Sequence, residues 1–256
     1  MRIRIPLKCG CAALAFLLGL FSAAPSARAD QRSFIRAYEY ATQPQGNLEF
    51  ELWNEIEAPR GGPFADALVT HRFELEYGLT DRWDVSLYQV FEHGGGGTPA
   101  DRAFRFDSWR IESRLRLAEK GEWPVDVMLY GELERPADFT APWEIEEKLI
   151  LGRDFGAFGV VANLVFGQAL ATGDKAQHLF EVDLGARYEL SPAVRAGGEF
   201  WAIRASPPGQ PAANSYFLGP SVSLASQRVW IQLGAGIGLG STAESLFARS
   251  VLGFNL

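Results

Sequence analysis

The chain has 256 residues, a formal charge of −7, 12% aromatic residues and 27 glycines. So acidic a composition lacks the clustered Lys and Arg that phosphate contacts need, and no nucleic-acid partner is expected. After residue 30 no apolar run reaches the ~18 residues of a membrane helix, whereas near-neutral mean hydropathy suits a membrane barrel, whose strands are only half apolar.

The first 29 residues read as a secretory signal peptide. Arg2, Arg4 and Lys8 form a basic region, Cys9 to Phe21 an apolar one, and Ala27-Arg28-Ala29 a small-x-small cleavage site, which puts the cut between Ala29 and Asp30. Four basic residues would leave with it, taking the charge from −7 to −11. Cys9 and Cys11 would leave too, so no disulfide is expected in the exported protein. Residues 30–46 lack a clean pattern and are expected to form an N-terminal periplasmic segment or to extend the first strand.

From residue 47 onward apolar and polar residues alternate. In Arg72-Phe73-Glu74-Leu75-Glu76-Tyr77 every second side chain is apolar and the intervening ones are charged. A strand sends successive side chains to opposite faces, so one face suits lipid and the other water. Twelve such stretches are predicted, at 47–57, 67–79, 82–93, 103–118, 123–135, 142–153, 158–170, 177–190, 193–205, 214–225, 228–239 and 245–256. Short connections, such as Thr80-Asp81 and Ser191-Pro192, alternate with longer ones, such as Gly94 to Gly97 and Pro207-Pro208-Gly209. Short turns on one side and longer loops on the other are the asymmetry of an outer-membrane barrel. The expected fold is thus an all-β, antiparallel, up-and-down transmembrane β-barrel of 12 strands over residues 47–256. Pro220 cannot donate to a ladder and is expected at a bulge or near a loop end. Glu147 shares a face with Ile145 and Leu149, which points to a local register slip.

The segment Glu76-Tyr77-Gly78-Leu79-Thr80-Asp81-Arg82-Trp83-Asp84-Val85 resembles the strand–turn–strand signature of uncharacterised proteobacterial outer-membrane β-barrel families, porin-like or transporter-like. Phe217-Leu218-Gly219-Pro220-Ser221, with Trp230 and Gly234-Ala235-Gly236-Ile237-Gly238, is similar to their C-terminal hairpin. The last strand also resembles the signal read by the outer-membrane assembly machinery, although it ends on Leu256 where an aromatic residue is usual. The resemblance implies a Gram-negative outer-membrane location, with lipid, lipopolysaccharide and the barrel-assembly machinery as partners. It implies no activity, substrate or catalytic residue.

Lipid-facing positions are expected to include Phe50, Phe73, Leu75, Tyr77, Leu87, Trp109, Ile111, Leu129, Leu184 and Leu233. The opposite register gives the pore-lining candidates Glu74, Glu76, Arg110, Glu112, Arg114, Arg116, Glu132, Glu134, Lys148, Asp183, Arg187 and Glu199, with Trp201 narrowing the lumen. Placing such a set in lipid would cost roughly 2–4 kcal/mol for each Lys or Arg at midplane, which fixes the orientation. Trp53, Trp83, Trp123, Trp143 and Trp230 lie near strand ends and are expected in an interfacial aromatic girdle.

Two readings of the charged interior stay open. In one, acids and bases pair and leave no hole. In the other, a wet pore selects solutes by its wall charge. Eight strands enclose a filled interior and sixteen or more an open channel, so twelve allow either. The favoured expectation is a narrow channel, or passive transporter, for small polar solutes with mild cation preference. A non-conducting structural or partner-binding barrel is the alternative. A membrane-embedded lipid-modifying enzyme is disfavoured, because His71, His93 and His178 adjoin no serine motif, and no catalytic residue is assigned. The histidines show no metal-ligand spacing, and no cofactor or metal is expected. A soluble periplasmic β-sandwich ranks last.

Overall fold

A computed structural model describes residues 32–96, 102–171, 176–207, 209–226 and 228–256. The expected signal peptide and its cut at Ala29 and Asp30 lie outside the described residues. The strands are β1 (Leu48–Pro59), β2 (Leu68–Thr80), β3 (Trp83–Gly94), β4 (Arg105–Arg116), β5 (Asp126–Pro136), β6 (Glu144–Phe155), β7 (Phe158–Ala169), β8 (His178–Ser191), β9 (Val194–Ser206), β10 (Ala213–Ala225), β11 (Val229–Gly238) and β12 (Glu244–Asn255). Every end falls within three residues of its expected place.

Each strand pairs antiparallel with its sequence neighbours, and β1 pairs with β12 from Glu49–Asn255 to Pro59–Glu244, so the sheet closes. Closure leaves no edge and satisfies the backbone inside the sheet, as a hydrocarbon surrounding demands. The alternation sorts side chains as the sequence predicts. Leu75, Ile111, Leu184 and Ile237 are 45–58% exposed on the outer face, whereas Glu49, Glu74 and Asp84 have no exposure. The molecule is inverted relative to a water-soluble domain, with its charges inside.

Three expectations are corrected or refined here. Glu147 is exposed on the outer face opposite Gly131 and Phe166, and β6 keeps one register with both neighbours, so there is no slip. Pro220 sits mid-strand opposite Gly198, not near a loop end. On its β11 side the pairing drops out between Leu218–Ile237 and Ser221–Gly234 and then resumes in the same register, as a residue without an N–H requires. Trp83, Trp123 and Trp143 are exposed as a girdle would be, but Trp53 and Trp230 are buried inside the barrel. They share parity with inward Glu51 and Gln232, and inside they have acceptors for their indole N–H groups. Trp53 Nε1 donates to Glu74 at 3.0 Å and Trp230 Nε1 to Glu49 at 3.1 Å.

Residues 32–43 do not extend β1, which begins at Leu48. They pass inside the barrel, where Phe34, Ile35, Ala37, Tyr38 and Tyr40 are buried. The chain then turns at Gly46 (φ 78°) and enters β1.

Candidate functional site

The lumen is built from inward positions of all twelve strands and from the segment 32–43. The wall pairs most of its charges locally. Arg114 Nε donates to Asp84 at 3.0 Å, and its guanidinium also reaches Glu76 and lies 3.4 Å from Glu112. Arg110 lies 3.2 Å from Glu132 and 3.1 Å from Glu134. Lys148 meets Glu146 at 2.9 Å and sits over the rings of Tyr38 and Tyr130. Glu55 takes Arg72 at 2.5 Å and Arg249 at 2.6 Å. Pairing of this kind is what allows charge to stand where water is scarce.

The segment meets the rest of the wall. Three successive backbone N–H groups, of Ile35, Arg36 and Ala37, converge on the Glu199 carboxylate at 2.5, 2.8 and 3.0 Å. Successive N–H groups aimed at one anion form a nest. The Arg36 guanidinium engages Glu181 through two nitrogens. Asn163 accepts from Tyr38 N at 2.6 Å and donates to the Tyr38 carbonyl at 3.0 Å. Arg32 lies 3.3 Å from Glu51 and stacks over Trp53. Gln43 N donates to Asp84 at 2.9 Å, and Arg187 holds Glu39 at 2.8 Å.

The wall is also shaped for these side chains. A Cβ added at Gly185 would lie 2.8 Å from the Phe34 ring, and one at Gly234 would lie 2.6 Å from the Ile35 side chain. Ile35 packs with Trp201, Phe217 and Phe247; Tyr38 and Tyr40 pack with Met128, Tyr130 and Ile150. Trp201 thus faces inward and fills space beside the segment.

Above this packed level, towards the longer loops, two recesses open. One, of about 430 Å³, is lined by Glu57, Asp66, Glu92, Arg105 and Glu244 among others. The other, of about 190 Å³, is lined by Arg110, Glu132, Glu134, Glu144 and Glu146 with Gln168 and Gln177. Carboxylates outnumber guanidiniums in both.

Every predicted pore-lining residue faces the interior, but they do not form one site. Arg110, Glu132 and Glu134 border the smaller recess. Glu74, Glu76, Glu112 and Arg114 are buried in the packed middle with Asp183 and Glu199. Arg116 lies at the short-turn end, where it donates to the Asp81 carbonyl and faces Tyr40. Arg187 bridges Glu39 and Asp154 near the same end. Sequence reasoning missed the segment's Arg32, Arg36 and Tyr38, and the wall's Asn163. An available signal was the surplus of inward acids over inward bases, which calls for cations from elsewhere in the chain.

Glu49, Glu51 and Glu76 each bring an oxygen within 4.8 Å of the others. Arg32 and Arg114 lie against the same group, so guanidiniums supply its countercharge. His71 Nδ1 lies 2.8 Å from Asn54 Oδ1, His71 stacks on His93, and His178 stacks on Phe166.

No family model and no curated protein matches the sequence. The structure is similar to an outer-membrane channel from Pseudomonas putida F1, with a TM-score of 0.64 at 11% identity, over 87% of this chain and 100% of that one. It is similar to the NanC porin, with a TM-score of 0.59 at 6% identity, over 81% of this chain and 100% of that one. For the KdgM porin the TM-score is 0.53 at 8% identity, over 81% of this chain and 99% of that one. At these identities the likeness is one of fold. Together with the closed sheet and the apolar outer face, it makes this chain a closed 12-stranded β-barrel of the outer-membrane type.

Proposed function

We propose that this protein is a narrow passive channel for small polar solutes with a mild preference for cations. The observation that carries this reading is the sign of the fixed charge along the lumen. Eleven inward carboxylates are buried (Glu49, Glu51, Glu55, Glu74, Glu76, Asp84, Glu112, Asp126, Glu181, Asp183 and Glu199) against three buried guanidiniums (Arg114, Arg187 and Arg249). The partly buried Arg32, Arg36, Arg72, Arg110, Arg116, Lys148 and Arg195 narrow that gap, the partly buried Glu132, Glu134, Glu144 and Glu146 widen it again, and both recesses at the loop end repeat it. Low-dielectric walls focus such a field and enrich cations at the mouth. The NanC and KdgM porins and the Pseudomonas channel add support at the level of architecture.

A second reading, a non-conducting structural barrel, is favoured by the packed middle of the lumen, where Met128, Ile150, Trp230 and Gln232 have no exposure. Planar-bilayer recording under a potassium chloride gradient separates the two. The channel reading expects discrete openings and a reversal potential displaced towards that of potassium. An intact, correctly folded barrel that never conducts would sink it, and a reversal potential at or beyond zero on the chloride side would remove the cation preference.

A further inference from the structure

We infer that residues 32–43 are a tethered occupant of the solute path, and that the wall carboxylates they cover form a recognition site for guanidinium and ammonium solutes. This rests on the channel reading above and adds to it a gate and a substrate class.

The argument starts from which partners each carboxylate has. Glu55, Glu76, Asp84, Glu132, Glu134 and Glu146 have cationic partners on the wall itself. Glu181 and Glu51 differ. Among the described residues their close cationic partners are Arg36 and Arg32, both on the segment. Glu199 accepts three N–H groups, and all three come from the segment. Removing the segment therefore leaves buried carboxylates of β1, β8 and β9 facing the lumen without their nearest donors. The occupant that suits these carboxylates best is cationic and rich in N–H donors. The segment supplies that chemistry from within the chain, and a free solute bearing a guanidinium or ammonium group supplies it from outside. Planar guanidinium suits Glu181 best, because Arg36 already meets both of its oxygens there.

The wall is cut to the segment's shape at Gly185 and Gly234, so the closed state is a built state. Its anchors are ion pairs and hydrogen bonds, which solvent replaces as the segment withdraws, together with the apolar contacts of Ile35, Tyr38 and Tyr40, which hold the closed state. A tether keeps the occupant at an effective concentration of about millimolar or more, so a competing solute must approach that level to hold the path open.

The test compares the full wild-type chain with Arg36→Ala and Glu199→Gln. Heat-modifiable electrophoretic mobility confirms that each barrel is folded. In planar bilayers each substitution is expected to raise the fraction of time open about tenfold or more, as loss of a charge-assisted hydrogen bond implies. Arginine or guanidinium chloride is expected to prolong wild-type openings in a concentration-dependent way. In liposome swelling, arginine is expected to enter fastest, a neutral sugar of similar size next, and glutamate slowest. Folded variants that open no more than wild type overturn the gate. A conducting channel that admits glutamate as fast as arginine overturns the recognition site and leaves the channel standing. A folded barrel silent in all three forms overturns the channel reading itself, and this inference with it.

Discussion

At the scale of single residues, parity decides more than neighbourhood. Trp53 and Trp230 looked like girdle residues because each lies near a predicted strand end. Their place is set by sharing the inward register with Glu51 and Gln232, where Glu74 and Glu49 accept their N–H groups. That parity was readable in the sequence. The space the Trp230 indole needs was not, because it comes from a glycine on another strand. A Cβ at Gly253 would lie 2.2 Å from Trp230 Nε1 and 2.3 Å from its ring. Gly253→Val therefore forces the indole out of its seat and is expected to cost about 1–3 kcal/mol, the usual range for overpacking. Urea unfolding of the detergent-solubilised barrel, followed by tryptophan fluorescence, measures this. An unchanged midpoint would show that Trp230 has room to move.

At the scale of elements, the twelve strands were legible because a period of two is a local property. Phe73, Leu75 and Tyr77 against Arg72, Glu74 and Glu76 settle β2 without knowledge of any other strand. The segment 32–43 was not legible for the opposite reason. It repeats no period, and its partners lie far away in the chain, at Glu181, Asn163 and Glu199 among others. Its Phe34, Tyr38 and Tyr40 alternate too briefly to mark a strand. Burial of this segment has a simple readout. Trypsin added to the folded barrel is expected to cut at exposed Arg102 while sparing Arg36, and to cut at both once the barrel is unfolded. Cleavage at Arg36 as fast as at Arg102 in the folded protein would show that the segment spends its time outside the lumen.

At the scale of the whole molecule, the apolar belt and the charged interior form one arrangement seen from two sides. Leu184 lies at the middle of β8 and is 47% exposed, whereas Tyr188, also exposed, lies near the short turn that follows the strand. Leu184→Arg is expected to destabilise the barrel in lipid by about 2–4 kcal/mol and Tyr188→Arg by about 0–1 kcal/mol, because the penalty follows depth in hydrocarbon. Reversible unfolding in lipid bilayers tests the difference, and equal costs would mean that this face does not meet acyl chains. One contact joins the two ends of the sheet to what lies within it. Arg249, on β12, holds Glu55 of β1 and also donates to the Ile35 carbonyl. One guanidinium thus serves both the seam that closes the sheet and the segment enclosed by it, so loosening either is felt by the other.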